Sequence, residues 1–206
     1  MKRTIFALMA TMTFGPLAMA EEYDAQQIVN WEDRSFVGET QYRLDEQQDM
    51  AVVAAKADNS ASGLFFEKDF DVSKKPILQW QWRALPKQNS QERLKHGDDF
   101  AARVYVVAKT GPFPWQTIAL NYIWSSQEAI GESWRNPFVP KNAQMVVLQT
   151  GNDGQWHQQR RDVVADFKRF FNKDIDEIKA IAIMTDSDNA GGVQQAWYGP
   201  ISWSAR

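Results

Sequence analysis

Glu67, Asp69 and Asp71 alternate along FEKDFD (66–71), so as a strand this segment sets three carboxylates on one face. Retaining glycosidases need two carboxyl groups about 5 Å apart across the scissile bond, and such a ladder is one way to hold them. With Lys68 between the acids and Lys74-Lys75 beyond, the same pattern describes a charged edge strand running into a turn, and that reading is preferred. His96 and His157 are the two histidines, and neither stands in a two-histidine metal spacing. No GxSxG elbow is present. His157 in QWHQQRRD is the base a sandwich-fold lyase would use, or else a surface histidine on a polar strand. Asp186-Ser187-Asp188-Asn189, followed by Gly191-Gly192, offers oxygen ligands for a structural calcium ion through Asp186 and Asp188. It lacks the remaining positions of a helix–loop–helix calcium site and equally makes an Asx-type turn.

HGDDFAARVYVV (96–107) poses a different question, because Arg103 interrupts a strand otherwise fit for burial. An arginine always carries its charge, so if partly buried it needs acceptors. Asp99 has the right parity, but four residues of strand span roughly 13 Å, so contact would need a bend in the chain. Asp186 or Asp188 is the alternative partner. Arg103 is then either a structural ion pair tying a loop to a sheet or a cationic fork that reads a sugar hydroxyl or carboxylate.

The elements that must carry these residues are strands. Alternating runs fall near Gln27–Glu32, Thr40–Leu44, Ala51–Ala57, Gly63–Phe70, Ile77–Leu85, Ala101–Lys109, Thr117–Ser125, Gln144–Thr150, Trp156–Arg161, Ile178–Thr185 and Gln195–Trp203, with turn residues between them. RDVVADFKRFF is the exception. Val163, Val164, Phe167, Phe170 and Phe171 share a helical face, and Asp162 suits the N-cap. Within the strands, Leu78, Trp80, Trp82 and Ala84 oppose Gln79, Gln81 and Arg83. Ala102, Val104, Val106 and Ala108 oppose Arg103 and Tyr105, and Ile118, Leu120, Tyr122 and Trp124 oppose Asn121 and Ile123. The pattern predicts a sheet with one face on the core, and a second, semi-polar layer shared by Arg83, Arg103, Tyr105 and Asn121.

Composition narrows the function. Residues 1–20 have a Lys2-Arg3 start, an apolar Ile5–Phe14 stretch and a small-x-small end at Ala18-Met19-Ala20, which predicts a cleaved export signal and a periplasmic or secreted product. Without them, 21 basic residues face 26 acidic ones, a balance that argues against nucleic acid. No later apolar run is long enough for a membrane span. The absence of cysteine excludes thiol catalysis and thiolate metal sites. Nine tryptophans, twelve phenylalanines and five tyrosines are the strongest signal in the composition: aromatic side chains fill cores, the preferred reading for most of them, and their faces also stack on sugar rings. Trp115 in a Gly/Pro loop and Trp134 in GESWRNPF are the ones placed for exposure.

WQWRALP (80–86), DDFAARVYVV (98–107), LNYIW (120–124), QRRDVVADF (159–167) and MTDSDNAGG (184–192), in that order, resemble the bacterial domain-of-unknown-function family numbered 3047. That resemblance implies a small exported protein and no particular activity. IVNWEDRSFVGETQYRL, FEKDFDVSKKPILQWQWR and the closing WYGPISW are similar to galactose-binding-like jelly rolls, a shape shared by carbohydrate-binding modules and by assembly factors of respiratory complex I. The acidic residue that commonly enters the last strand of such domains is missing at Trp197-Tyr198-Gly199-Pro200.

The expectation is therefore one all-β domain over residues 21–206, an antiparallel jelly-roll sandwich with one short helix. Three functions remain open. The leading one is a non-catalytic domain of the cell envelope that binds a glycan through Arg83, Asp99, Arg103, Tyr105 and Asn121, flanked by Trp115 and Trp134. The second is a polysaccharide lyase or glycoside hydrolase on the same face. The third is an assembly or scaffold partner of another envelope protein.

Overall fold

The computed structural model describes residues 21–89, 91–111, 113 and 116–206. The expected export signal and Trp115 lie outside the described residues. The elements are β1 (Glu21–Tyr23), α1 (Ala25–Ile28), β2 (Glu32–Val37), β3 (Gln41–Gln47), β4 (Met50–Asp58), β5 (Ala61–Asp71), β6 (Ile77–Leu85), β7 (Ala102–Lys109), β8 (Thr117–Ser125), β9 (Ser133–Arg135), β10 (Ala143–Thr150), β11 (His157–Asp162), α2 (Val163–Phe171), β12 (Glu177–Asp186) and β13 (Val193–Ser204). They form two sheets. The six-stranded sheet runs β11-β6-β13-β4-β3, with β1 also on β13, and the seven-stranded sheet runs β2-β5-β12-β7-β8-β10-β9. The fold is the expected jelly-roll-type sandwich.

Alternation builds its core. Leu78, Trp80, Trp82 and Ala84 face Val104, Val106, Leu120, Tyr122 and Trp124 in one buried cluster. Aromatic pairs cross from sheet to sheet: Trp80 on Tyr122 at 5.4 Å between ring centroids, Trp82 on Trp124 at 5.9 Å and Trp203 on Phe70 at 5.5 Å. A bulge between Tyr198 and Ile201 inverts the parity of β13, so that both side chains face inward.

Two local readings are corrected, and one hairpin turn carries no usual sequence signal. Gln27–Glu32 is not a strand: Asp24 and Gln27 close a capping box over α1, and pairing begins only at Glu32. The sandwich thus has a second, one-turn helix. The seven-stranded sheet is mixed, because β10 runs parallel to β8, with β9 in the connection. The β3–β4 hairpin turns on Gln48 and Asp49, both at positive φ (54° and 62°), where Asn-Gly would be the usual signal.

Helix α2 matches its expected bounds, with Asp162 accepting from the Ala165 amide and Asn172 left-handed at the C-cap. Val163 and Phe167 are fully buried, and Val164, Phe170 and Phe171 pack against the core. Asp166 on this helix accepts from the Tyr122 hydroxyl at 2.7 Å and from Arg161. Phe167→Ala should therefore cost about 3–5 kcal/mol in urea unfolding, with the denaturant slope unchanged.

Candidate functional site

The inward tryptophans of β6 force Gln79, Gln81 and Arg83 outward, onto the outer face of the six-stranded sheet. Cross-strand register then sets Arg43, Ala54, Trp197 and Arg83 in one row across β3, β4, β13 and β6. Running the β6–β11 register on by one residue puts Trp156 opposite Arg83. Trp156 is half-buried, and its indole N–H has no partner. Next to this row stand Gln41, Lys56, Gln195 and Leu85.

Trp197 is the half-buried centre of that face. The Arg83 guanidinium lies over its ring, 4.8 Å from the centroid, and the indole N–H donates to Asp45 at 3.3 Å. Arg83 also donates to Gln47 at 3.3 Å. Because Ala54 is small, a shallow cleft of about 80 Å³ opens beside the ring, lined by Gln41, Arg43, Ala54, Lys56, Gln195 and Trp197. An aromatic ring beside a slot rimmed by amide and guanidinium donors suits a flat polyhydroxylated ligand: apolar ring faces stack, and hydroxyls find partners at the rim.

The remaining expected residues lie on the opposite side of the sandwich. Tyr105, Asn121, Met145 and Trp134 form one row on the outer face of the seven-stranded sheet, and Arg103 stands in the next. The predicted shared layer is therefore split, with Arg83 on one outer face and Arg103, Tyr105 and Asn121 on the other. Sequence alternation places a side chain outside the core but cannot say outside which sheet. Arg103 is also not in an open layer. It is 2% exposed. The segment leading into β7 folds back over this face, where Phe100 packs with Ile123, Met145 and Val147, and Trp134 leans on them. Asn121 is buried, and Tyr105 is half-buried with its hydroxyl near the Met184 sulfur.

Arg103 is the centre of a buried knot that joins two motifs distant in sequence. Its Nε donates to Asp186 Oδ1 at 2.8 Å, and its Nη2 donates to Asp186 Oδ2 and to the Asp98 carbonyl. Its guanidinium covers Phe100 at 4.6 Å. Asp186 also accepts from the Phe100 amide, while Asp99 accepts from the amides of Asn189 and Ala190. Asp98 takes a bond from Asn136 at 3.1 Å. Asp99, Asp186 and Asp188 bring carboxylate oxygens within 4.8 Å of one another. Those of Asp99 and Asp186 are already engaged by N–H donors, and Arg103 supplies the positive charge.

The other chemical candidates are dispersed. Glu67 pairs with Arg34 at 2.9 Å and Asp69 with Lys179 at 2.9 Å, while Asp71 holds the Ser73 amide and hydroxyl. Their half of β5 extends past the end of its pairing with β2 and is an exposed edge. His157 lies 2.8 Å from Asp153, with Gln149 at hydrogen-bond distance. The site residue that sequence reasoning missed is Trp197. Its signal was available, because in AWYGPISW it alternates with the inward Ala196 and Tyr198.

The family model described as a protein of unknown function, DUF3047, matches residues 29–202. The chain belongs to the DUF3047 family. No curated protein matches this DUF3047 chain. Among solved structures it is similar to a family 11 carbohydrate-binding module of Clostridium thermocellum, 12% identical over 91% of this chain and 97% of the other, with a TM-score of 0.49. It is also similar to a family 30 carbohydrate-binding module of a Clostridium thermocellum cellulosomal cellulase (10% identity, 87% and 92% covered, TM-score 0.48). A cellulase derived from that of Rhodothermus marinus is similar at 11% identity, with 89% and 100% covered and a TM-score of 0.47.

The knot makes two measurable demands. Arg103→Met strands the buried Asp186 and should cost roughly 3–5 kcal/mol of stability by chemical denaturation. Burial pushes the Asp186 carboxyl from its usual 3.8 up to about 7, against the pull of Arg103. The folded protein then holds this proton more tightly than the unfolded chain. The stability it contributes is full below about pH 4 and is lost as pH rises through about 7. Unfolding free energies of wild type minus Asp186→Asn should fall between pH 4 and 8, and a flat difference would mean that Asp186 titrates normally.

Proposed function

We propose that this protein is an exported, non-catalytic glycan-binding domain of the cell envelope, and that it binds through the outer face of the six-stranded sheet. The observation that carries this reading is the row Arg43–Ala54–Trp197–Arg83, which sets a half-buried indole beside a shallow slot in a largely polar, open face. In this reading Arg83 is a binding residue. Arg103, Asp99, Tyr105, Asn121 and Trp134 serve the fold of the opposite face, whose apolar residues are covered by the chain's own loop. Affinity electrophoresis of the mature protein through gels containing neutral and acidic polysaccharides tests the reading. Retardation by at least one of them is expected, as is a loss of about tenfold or more in affinity for Trp197→Ala at unchanged melting temperature. No retardation in any gel, or full retention by Trp197→Ala, would overturn it.

The acidic cluster around Asp186 belongs, in the same reading, to the Arg103 knot and not to calcium, since Arg103 already holds Asp186 and the Asn189 and Ala190 amides hold Asp99. A ligand bound only to the native state raises its melting temperature. Equal melting curves in calcium and in chelator are expected. A calcium-dependent rise abolished by Asp188→Ala would instead assign the cluster to the metal.

A further inference from the structure

The charges on the proposed binding face are lopsided. Arg43, Lys56, Arg83 and Arg160 all project from the outer face of the six-stranded sheet, within a chain whose acids outnumber its bases, 26 to 23. Against them stands Asp45, which is shared between Arg43 at 3.3 Å and the Trp197 indole. Asp58 lies at one end of the face beside Asn59, and at the other end Asp162 pairs with Arg206 at 2.7 Å and Glu22 stands exposed opposite Ser202. Lys56 and Arg160 have no ion-pair partner among the described residues.

Arg83 is the informative member. Among the described residues, every other arginine that is buried or half-buried touches a carboxylate: Arg34 touches Glu32 and Glu67, Arg103 touches Asp186, and Arg161 touches Asp166. Arg83 touches none. Its Nε is buried without a hydrogen-bond partner, and its contacts are one amide oxygen and the face of Trp197. A partly desolvated guanidinium retains a planar fork of donors that matches a carboxylate, and the Trp197 ring it lies over gives that fork a fixed support.

We infer that the ligand is an anionic glycan, whose charged groups meet the unpaired Arg83 while a sugar ring stacks beside Trp197. This rests on the glycan reading above and names its ligand class. Arg43 and Lys56, across the slot from Arg83, supply further cationic contacts along the same chain. Carboxylate and sulfate ester share the chemistry that this fork recognises.

The experiment compares one polymer in two charge states. The mature protein is titrated calorimetrically with polygalacturonate, with the same chain fully methyl-esterified, with a sulfated dextran and with a neutral β-glucan. Polygalacturonate, the sulfated dextran or both should bind at least tenfold more tightly than the uncharged chains. The preference should weaken with added salt and collapse in Arg83→Gln. Which of the two anionic polymers leads identifies the source of the charge. If Arg83→Gln melts early, the doubly exposed variant Arg43→Gln/Lys56→Gln carries the test, with a smaller loss of preference expected. Equal or tighter binding of the uncharged chains, still lost in Trp197→Ala, would overturn the anionic inference and leave the glycan reading intact. Binding to none of the four would overturn both.

Discussion

The two sheets are held by aromatic side chains that meet across the core, Trp80 on Tyr122 and Trp82 on Trp124. Because a strand's side chains alternate, burying Trp80 and Trp82 leaves no freedom for their neighbours. Gln79, Gln81 and Arg83 must face out, and a one-residue slip of β6 would exchange a tryptophan core for a charged one. The proposed site is thus a by-product of core packing. Its position on β6 follows from the residues between it.

The two outer faces meet different fates for a physical reason. On the seven-stranded sheet the outward residues include Ile123, Met145 and Val147, which are too apolar to leave in water, and the segment ending at Phe100 covers them. Covering them also buries Arg103, whose charge then requires the Asp186 carboxylate and the Asp98 carbonyl. The outward residues of the six-stranded sheet are mostly polar or charged, with glutamine and arginine prominent among them, and water satisfies these, so no loop is needed over them. One face is consumed by the fold, and the other stays open.

Much was readable from the chain alone. The strands of β6 and β8, the bounds of α2 and its Asp162 cap follow from local periodicity, and local periodicity survives folding. The short helix at Ala25–Ile28 escaped because one turn carries too little pattern to compete with an apparent alternation. The DD motif at 98–99 and the MTDSDNAGG motif each look like a polar loop in isolation. That they are two halves of one knot, joined by Asp99 accepting from Asn189, is a long-range fact with no local trace.

Alternation is a local property of extended backbone, so the sequence alone settled which side chains of β6, β7 and β8 point away from the space between the sheets: Arg83, Arg103, Tyr105 and Asn121. The sheet to which a strand belongs is set by hydrogen bonds to partners far along the chain, and parity carries no information about them. Only the tertiary structure therefore decided that Arg83 joins Trp197 on an open face, while Arg103 lies on the opposite side beneath a loop.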